Sequence, residues 1–365
     1  MESAARPRTR GVAVDASGAD LGPAEVAAGA RLAAAQGVRV LLFGPAAELG
    51  AGGGGVEIVD APVSIAKQRD PVRAVRSTPD ASIVRAARAV AAGEAEALVC
   101  GGSTGAALAA CLFHVKRARG IHRPALAVPV PVPGHPVTLL DVGANAEARR
   151  EHLVQFAYMG AAFASGVLGI ARPRVGLLSN GAEDGRGSQL LIDVHALLAE
   201  RAGSGAGGGL DGGVLEFVGN VEGDGLVQGA ADVVVTDGLT GNIALKLIEG
   251  VSQAVLGAVR DVAASSRRGR LGGLLLRPSL RGFRAEIDPE GQGGAYLLGL
   301  RRLVVVTHGR FGRAGVAQAI LRAAAGVEED VVGRTHAALE AAGALRRSAA
   351  PGTSADGATV PGHDD

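Results

Sequence analysis

Short, continuous apolar runs alternate along this chain with longer segments in which apolar residues recur every three or four positions. Runs of this kind are typical of strands buried on both faces, and the longer segments are typical of the helices that connect parallel strands. The runs predict strands at 11–16, 38–43, 96–100, 125–130, 137–142, 174–179, 214–218, 232–236 and 303–307. The segments between them predict helices at 23–36, 81–93, 105–118, 150–169, 188–202, 241–262 and from 313 onward. The pattern favours a three-layer α/β/α fold around a mostly parallel sheet.

Four segments depart from this alternation. The glycine-rich stretch 203–213 is typical of a flexible loop, and the polar ends at 1–10 and 346–365 are predicted to be disordered tails. Residues 263–290 interleave six arginines with leucines and a phenylalanine, and they predict a protruding, basic and apolar helical segment. The sequence thus predicts one domain over 11–345, flanked by two tails.

Composition excludes several classes of function. The formal net charge of the 365 residues is +1, and aromatic residues make up 2%. A chain of this kind has neither the overall field nor the stacking surfaces that nucleic-acid binding uses, so we expect no nucleic-acid partner. Two cysteines, Cys100 and Cys111, form no disulfide framework, and no metal-ligand pattern accompanies them. We expect a cytoplasmic protein without metal or cofactor.

One segment resembles a membrane span by its composition. Residues 153–171 carry no charge, and their length is close to the roughly 20 residues that a spanning helix needs. They also contain Gln155, Ser165 and three glycines. We therefore interpret the segment as a buried helix of a soluble protein. The N-terminus has no apolar stretch of the kind that a secretory signal has.

Polar, glycine-rich loops follow five of the predicted strands. They begin at Gly101, Gly143, Asn180, Asp237 and His308. Because ligands bind beyond the carboxyl ends of parallel strands, we expect all five loops to meet at one edge of the sheet. Backbone N–H groups and hydroxyls at the start of a helix, as at Gly101–Gly105, make a cradle for an anion. The sequence therefore predicts an anion site at that edge.

Three well-known motifs are missing. The chain contains no G-x-x-x-x-G-K-[ST] loop, no G-x-G-x-x-G after the first strand, and no G-x-S-x-G at a strand end. A nucleotide P-loop, a dinucleotide site and a serine nucleophile are thus not supported. The loop residues are suited to binding and polarising a substrate, and they do not form an obvious covalent intermediate.

Eight sequence blocks, in a characteristic order, identify a family resemblance. They are VAVDASGADLGPAEVAAGA, ALVCGGSTGA, LLDVGANAEARREHLVQFAYMG, VLGIARPRVGLLSNGAEDGRGSQLL, FVGNVEGDGL, ADVVVTDGLTGNIALKLIEG, GGAYLLG and VVVTHG. Over 11–325 this order resembles PlsX-type phosphate acyltransferases. The resemblance implies a fold related to phosphotransacetylases and isopropylmalate-type dehydrogenases, and a homodimer.

The same resemblance implies a reaction and its partners. Acyl carrier protein thioester and inorganic phosphate give acyl phosphate and free carrier protein, and a membrane glycerol-3-phosphate acyltransferase then uses the acyl phosphate in phospholipid synthesis. Phosphate is a competent oxygen nucleophile, so the protein need only hold it in line with the thioester and stabilise the oxyanion. No metal or cofactor is required for that chemistry.

The loops and the resemblance together select the candidate site residues. The candidate catalytic residues are Arg186, Asn220, Asn242 and Lys246. The candidate substrate- and phosphate-binding residues are Asp15, Gly18, Gly102, Ser103, Thr104, Gly105, Asn145, Gly185, Gly187, Asp237, Thr240, Gly241 and His308. Purely structural roles are the alternative for each: helix capping for Ser103 and Thr104, turn stabilisation for the asparagines, and solvated surface charge for Arg186 and Lys246.

Three positions depart from the pattern of the family. Ala19 follows Gly18 where the family has a second glycine, Ser103 replaces an asparagine, and Arg186 replaces a lysine. A planar guanidinium binds phosphate in a bidentate manner, whereas an ammonium acts as a point charge. The sequence therefore does not determine whether arginine in place of lysine at position 186 changes the reaction rate.

The segment 263–290 allows three functions. Its basic and apolar residues suit an acidic carrier protein, the anionic inner face of the cell membrane, or a helical hairpin at a dimer interface. Three other readings of the whole chain also remain open: a short-chain enzyme that uses acyl-coenzyme A, a relative of the β-decarboxylating dehydrogenases, and a scaffold without enzymatic activity that recruits lipid-synthesis partners to the membrane.

Overall fold

The computed structural model describes residues 11–130, 132, 134, 136–202, 213–286 and 288–346. The predicted tails lie outside these ranges, except for Arg346. The predicted loop 203–213 also lies outside them, except for Gly213.

One sheet of eleven strands forms the centre of the described part of the chain. The strands are β1 (Gly11–Asp15), β2 (Arg39–Gly44), β3 (Val56–Asp60), β4 (Ala97–Gly101), β5 (Ala125–Val130), β6 (Val137–Leu140), β7 (Arg174–Leu178), β8 (Glu216–Val221), β9 (Val233–Val235), β10 (Ala295–Leu298) and β11 (Leu303–Thr307). All nine predicted strands are present, and β11 has the predicted bounds. The apolar pattern does not predict β3 or β10.

The order of the strands across the sheet is β3-β2-β1-β4-β11-β10-β5-β6-β9-β7-β8. Neighbouring strands are parallel within the block β3-β2-β1-β4-β11 and within the block β6-β9-β7-β8. The three pairings between these blocks, β11 with β10, β10 with β5 and β5 with β6, are antiparallel. The prediction of a mostly parallel sheet is confirmed.

Three successive antiparallel pairings reverse the direction of the second block relative to the first. The carboxyl ends of β1, β4 and β11 therefore lie together on the side of the sheet where these strands end, which we call the first edge. Those of β6, β7, β8 and β9 lie at the opposite, second edge. The expectation that all five polar loops meet at one edge is wrong, because a continuous apolar run indicates burial of a strand but not its direction.

Thirteen helices occur within the described ranges. They are α1 (Pro23–Ala34), α2 (Ala46–Leu49), α3 (Pro71–Ser77), α4 (Ser82–Ala92), α5 (Thr104–Phe113), α6 (Arg150–Val167), α7 (Gln189–Ala202), α8 (Gly225–Gln228), α9 (Gly238–Ala264), α10 (Arg267–Glu286), α11 (Pro289–Gln292), α12 (Arg313–Glu328) and α13 (Val331–Ala341). Proline occupies the first position of α1, α3 and α11, where its missing N–H has no partner to lose. The side chains of Asp70, Asp237 and Asp330 cap α3, α9 and α13.

The two faces of the sheet carry separate aliphatic cores, which confirms the three-layer architecture. Helices α1, α6, α7, α12 and α13 contribute buried residues to the core on one face. Helices α3, α4, α5 and α8 contribute to the core on the other, against which the first part of α9 also packs. The uncharged segment 153–171 forms most of α6, whose Phe156 and Tyr158 are fully buried. Its prediction as a buried helix is confirmed.

Helices α9 and α10 pack on each other, and both carry exposed apolar residues. With 27 residues, α9 is about 40 Å long, so it extends well beyond strands of six residues or fewer. Its large exposed residues recur at every fourth position: Leu239, Ile243, Leu247, Val251, Val255 and Val259. Among the described residues, α9 is the one helix long and apolar enough to cross a membrane, which by itself is weak evidence of a span.

Candidate functional site

Loops from three strands pack together at the first edge of the sheet. We call residues 16–22, 101–104 and 308–312 the first loop cluster. The N–H of Asp20 donates to the carbonyl of Gly309 at 2.7 Å, and that of Gly102 donates to Thr307 at 3.2 Å. These bonds join the candidate residues Gly18, Gly102 and His308 into one rigid unit. His308 is exposed, and its Nδ1 accepts a hydrogen bond from the N–H of Arg310 at 3.2 Å.

The helix α5 begins within this cluster. The hydroxyl of Ser103 accepts a hydrogen bond from the N–H of Ala106 at 3.2 Å, so it caps the helix. Thr104 is the first helical residue, and Gly105 lies against Pro71, 3.0 Å from where a Cβ would be. The remaining N–H groups of the first turn and the helix dipole favour an anion at this position.

A buried carboxylate lies at the base of the first loop cluster. Asp15, the last residue of β1, accepts hydrogen bonds from the N–H of Ser17 at 3.2 Å and from the side chain of Ser82. A small cleft beside it is lined by Ser64, Ser82, Ser103 and their neighbours. Burial raises the pKa of Asp15 to about 6, and the two hydrogen bonds limit that rise. Asp15 is thus a group that titrates near neutral pH next to the helix start.

Asp141 organises the loop after β6, and the sequence motifs did not single it out. Its Oδ1 accepts hydrogen bonds from the N–H groups of Leu126, Gly143 and Ala144 at 2.9–3.2 Å. Its Oδ2 accepts from both the N–H and the Nδ2 of Asn145, at 2.7 and 2.8 Å. An aspartate that directly ends an apolar run, two positions before a glycine in LLDVGAN, is the sequence signal that could have identified it, and the structure shows it to be fully buried.

Asn145 and the start of α9 form the second loop cluster, which comprises residues 141–145 and 236–242. The side chain of Asn145 donates to the carbonyl of Pro124 at 2.8 Å as well as to Asp141, so its amide supports the fold. The carbonyl of Asn145 accepts from the N–H of Gly238 at 2.7 Å. A Cβ on Gly241 would lie 1.9 Å from the carbonyl oxygen of Asp141. Only glycine fits at this contact.

Helix α9 begins three residues earlier than predicted, so Thr240 lies within its first turn and Asp237 immediately precedes the helix. Asp237 caps it, accepting from the N–H groups of Leu239 and Thr240 at 3.0 and 2.9 Å and from the Thr240 hydroxyl at 2.7 Å. Asn242 is exposed. Lys246, one turn later, forms an ion pair with Glu249 at 2.7 Å.

The loop after β7 contains Arg186 and forms the third loop cluster, residues 179–187, with Asn220 and His195. The Nε of Arg186 lies 3.2 Å from Glu183 Oε2, and both side chains are mostly exposed. The Nδ2 of Asn220 donates to the carbonyl of Glu183 at 2.7 Å. Hydrogen bonding to its own N–H and the charge of Arg186 lower the pKa of Glu183. Gly185 and Gly187 lie in the same loop, and Gly187 has a φ of 99°.

His195 connects this loop to the sheet, and sequence reasoning missed it. It is buried on α7, where its Nδ1 lies 3.3 Å from Asn220 Oδ1 and its Nε2 lies 3.4 Å from Asp184 Oδ1. The ring also meets the edge of Phe217 at 5.0 Å between centroids. No local motif marks this histidine in the sequence.

The candidate residues therefore fall into two groups. Those of the first loop cluster lie at the first edge, and Asn145, Asp237, Thr240, Gly241, Arg186 and Asn220 lie at the second edge. Helix α9 runs back from the second edge along the same face of the sheet that α5 covers. Asn242 belongs to the second loop cluster at the second edge, and Lys246 lies one turn further along α9. Arg186 and Ser103 are not brought together by the strand directions of one subunit.

The loop clusters present backbone N–H groups, hydroxyls, amides and single cations, groups that are suited to anion binding. Within the ranges that the structure describes, no three His, Cys, Asp or Glu side chains converge. Cys100 and Cys111 are buried on the core side of β4 and α5, and burial raises the pKa of both thiols.

Comparison with known proteins identifies the family. The model of a family described as "Fatty acid synthesis protein" matches residues 11–334. The "Phosphate acyltransferase" of Geobacillus thermodenitrificans is 41% identical over 335 residues, which cover 90% of this chain and 98% of the relative. The "Phosphate acyltransferase" of Levilactobacillus brevis is 42% identical over 308 residues, 82% of this chain and 86% of the relative.

Solved structures support the fold. A phosphotransacetylase from Streptococcus pyogenes superposes with a TM-score of 0.58 at 16% identity, over 88% of this chain and 95% of that one. The EutD phosphotransacetylase from Staphylococcus aureus gives 0.57 at 18% identity, over 87% and 94%. The predicted relationship to the phosphotransacetylase fold is confirmed. Together with the sequence matches over most of both chains, it shows that this protein belongs to the fatty acid synthesis protein family whose relatives are phosphate acyltransferases.

Proposed function

We propose that this protein transfers a fatty acyl group from the thioester of an acyl carrier protein to inorganic phosphate. The observation that carries the proposal is the match to phosphate acyltransferases over about nine tenths of the chain, which includes every candidate loop. The products are an acyl phosphate and the free carrier protein. Acyl phosphates of this kind supply glycerol-3-phosphate acylation in phospholipid synthesis.

The reaction is a direct displacement. A phosphate oxygen attacks the thioester carbon, the carbonyl oxygen becomes an oxyanion, and the carbon–sulfur bond breaks to release the thiolate, which takes up a proton from solvent. Holding the two substrates together and stabilising the oxyanion account for most of the acceleration in such reactions. The hydrogen-bond donors of the loop clusters suit both tasks.

We place the phosphate at the first turn of α5. Gly102, Ser103 and Thr104 offer backbone N–H groups and hydroxyls there, and the tight packing of the first loop cluster keeps them oriented. Asn242 and Lys246 project from α9 on the same face of the sheet, and they are our candidates for contacting the oxyanion. Lys246 would exchange its partner Glu249 for substrate, which a pair on an exposed helix surface allows at little cost.

The α9–α10 hairpin is our proposed contact with a second subunit and with the membrane. Its apolar residues at every fourth position of α9 suit packing against a second copy of the same helix. Leu274, Leu275 and Leu276 on α10 are exposed beside Arg268, Arg270 and Arg277, a combination that favours the anionic inner membrane surface. A homodimer in the cytoplasm would thereby bring acyl phosphate to its membrane acyltransferase.

The reaction is tested by separate incubations with palmitoyl-carrier protein and palmitoyl-coenzyme A, with and without phosphate, and with hydroxylamine to trap acyl phosphate. We expect phosphate-dependent product from the carrier protein. Product from palmitoyl-coenzyme A alone would select an enzyme with a small-molecule donor, and no product from either donor would leave a scaffold role.

A further inference from the structure

A cluster of cations covers the second edge of the sheet next to the second loop cluster. We call it the arginine surface. Its members are all exposed: Lys116, Arg117, Arg119, Arg123, Arg149, Arg150, Arg301, Arg302 and Arg346. The formal net charge of the whole chain is +1, so this is a local concentration of charge and not a general property of the protein.

Backbone contacts hold three distant segments together at this surface. Arg117 forms a β-bridge with Leu300, and the Nε of Arg301 donates to the carbonyl of Arg117 at 3.2 Å. The N–H of Arg346 donates to the carbonyl of Gly120 at 2.8 Å. The loop 116–124 is thus fixed by the ends of β10 and α13. Its cations are presented by a stable backbone.

Two histidines connect this loop to the start of α6. The rings of His122 and His152 lie 5.9 Å apart between centroids. Burial lowers the pKa of His122, and the charges of Arg346 and Arg117 add to that effect, while Glu151 opposes it. Burial also lowers the pKa of His152, with His122, Arg123 and Arg149 as neighbouring positive groups and Glu151 again opposing. Arg117, Arg123, Arg149 and Arg346 are therefore grouped around the two histidines.

Few carboxylates neutralise the arginine surface. Glu147 and Glu151 are the acidic residues of the adjoining segments 116–124 and 143–152. The ion pairs found among the described residues involve none of the nine cations. An unneutralised positive surface of this size attracts an acidic partner and speeds its association.

The surroundings of the cations favour a protein over a membrane. Membrane binding uses large apolar side chains that insert beside the charges. None of the exposed large apolar residues lies in 116–124, 147–152 or 300–302, and both Ile121 and Leu300 are buried. Within these segments the only rings are those of His122 and His152, and the exposed ring of Phe113 at the end of α5 is covered by Arg76, so we expect no stacking surface for nucleic acid here.

We propose that the arginine surface docks the acidic face of the acyl carrier protein. The proposal rests on the proposed function and adds the place where the carrier binds. Pro124, next to Arg123, accepts the side-chain hydrogen bond of Asn145, so the arginine surface is continuous with the second loop cluster. Docking here leaves the α9–α10 hairpin free for a second subunit and the membrane.

Helix α5 spans the distance between this surface and the proposed phosphate site. The loop 116–124 follows the C-terminal end of α5, and α5 has ten residues, so its two ends are about 15 Å apart. Leu108 and Leu112 on α5 and Leu245 and Ile248 on α9 are partly buried along the same face of the sheet. The prosthetic arm of a docked carrier would lie along these aliphatic side chains, with its thioester directed towards Ser103.

The test is a charge reversal of three cations that hold no backbone contact: Arg119→Glu, Arg123→Glu and Arg150→Glu together. The matched control is Arg268→Glu, Arg270→Glu and Arg277→Glu on α10. Three readouts are needed. They are binding of fluorescently labelled palmitoyl-carrier protein by anisotropy, co-sedimentation with phosphatidylglycerol vesicles, and acyl phosphate formation from palmitoyl-carrier protein and from palmitoyl-pantetheine, a donor without the protein. Thermal unfolding checks that each variant is folded.

We expect the surface variant to bind carrier protein about tenfold or more weakly and to show a KM for it raised by a similar factor. Its kcat and its turnover of palmitoyl-pantetheine should stay unchanged, and the α10 control should bind carrier protein normally. Unchanged carrier binding would overturn the proposal, as would weaker carrier binding in the α10 control alone. Loss of binding to phosphatidylglycerol vesicles with carrier binding intact would assign the surface to the membrane instead. If the wild type binds carrier protein but makes no acyl phosphate, the proposed reaction fails while the docking site stands.

Discussion

The backbone of Gly18 passes so close to Gly102 that a Cβ on Gly102 would lie 2.0 Å from the carbonyl oxygen of Gly18. Gly102 also has a φ of 84°, a conformation that residues with a side chain adopt at a cost. The departure of this chain from the family pattern at Ala19 therefore does not open the contact, because the close approach is made by Gly18.

We predict that Gly102→Ala abolishes most acyl phosphate formation and destabilises the fold by more than the cost of its φ alone. The matched control is Gly93→Ala, since Gly93 has a φ of 83° but nothing within 4 Å of its Cβ position. The Gly93→Ala substitution should lower the free energy of unfolding by about 1 kcal/mol and leave activity intact. Equal losses of stability in the two variants, measured by urea unfolding, would contradict the steric argument.

Replacing Arg186 tests the third loop cluster. Arg186→Ala removes a mostly exposed cation that forms an ion pair with Glu183, and we expect activity to fall about tenfold or more if that cation contacts substrate. Arg186→Lys should keep a substantial part of the activity, because the charge is retained. Glu183→Gln controls for loss of the ion pair. Full activity in Arg186→Ala would place Arg186 outside the site.

His195 is expected to act by positioning the loop that carries Arg186. His195→Ala should lower kcat several-fold and speed backbone hydrogen exchange in 180–187, because the contacts with Asp184 and Asn220 are lost. If the two residues act as one unit, the double variant with Arg186→Ala should be no slower than Arg186→Ala alone. Additive losses would show that His195 acts independently of Arg186.

Asp15 should make the stability of the fold depend on pH. Its pKa rises on folding from 3.8 to about 6, so the folded state holds a proton that the unfolded state releases, and stability falls as pH rises between those values. The full difference corresponds to about 3 kcal/mol. Asp15→Asn should remove this loss and leave the variant more stable than the wild type at neutral pH. Unfolding in urea at about pH 4.5 and pH 7.5 measures both effects; a variant that is less stable than the wild type at pH 7.5 would contradict the prediction and argue for a structural need for the ionised carboxylate.

Two sets of substitutions in the α9–α10 hairpin distinguish its proposed contact with a second subunit from its proposed contact with the membrane. Val251→Asp with Val255→Asp places charges on the exposed apolar face of α9 and should convert a dimer to a monomer in sedimentation. Leu274, Leu275 and Leu276 changed together to Ser should weaken binding to anionic vesicles and leave the dimer intact. Vesicle binding that survives the leucine changes would remove the membrane contact from α10.

The fold was predictable from the sequence where local pattern decides it. Strand β11 and the buried helix α6 follow from continuous apolar runs and from the length of an uncharged segment. The start of α9 is earlier than predicted because Asp237 caps the helix ahead of its apolar repeat. Strand β10 escaped prediction because glycines flank its four residues on both sides, a pattern that is also typical of a turn.

The arrangement of the site was less predictable than its residues. The order of the motif blocks selected the candidate loops, but the direction in which each strand runs depends on pairings such as Leu126 with Leu297. Leu126 and Leu297 are far apart in sequence, and the apolar pattern around each of them does not indicate that they pair. Likewise, Asp141 and His195 gain their importance from partners that only the folded chain supplies.

The position of β11 in the sheet has a consequence for synthesis of the protein. Although it is the last strand made, it lies between β4 and β10, and the hydroxyl of Thr307 donates to the carbonyl of Cys100, 207 residues earlier. Until residues 295–307 leave the ribosome, β4 and β5 therefore each lack a neighbouring strand on the nascent chain. Such unpaired strands are open to mispairing and aggregation. We expect production in the cell to be sensitive to chaperone supply, and truncation before β10 to give insoluble chains and not a smaller active enzyme.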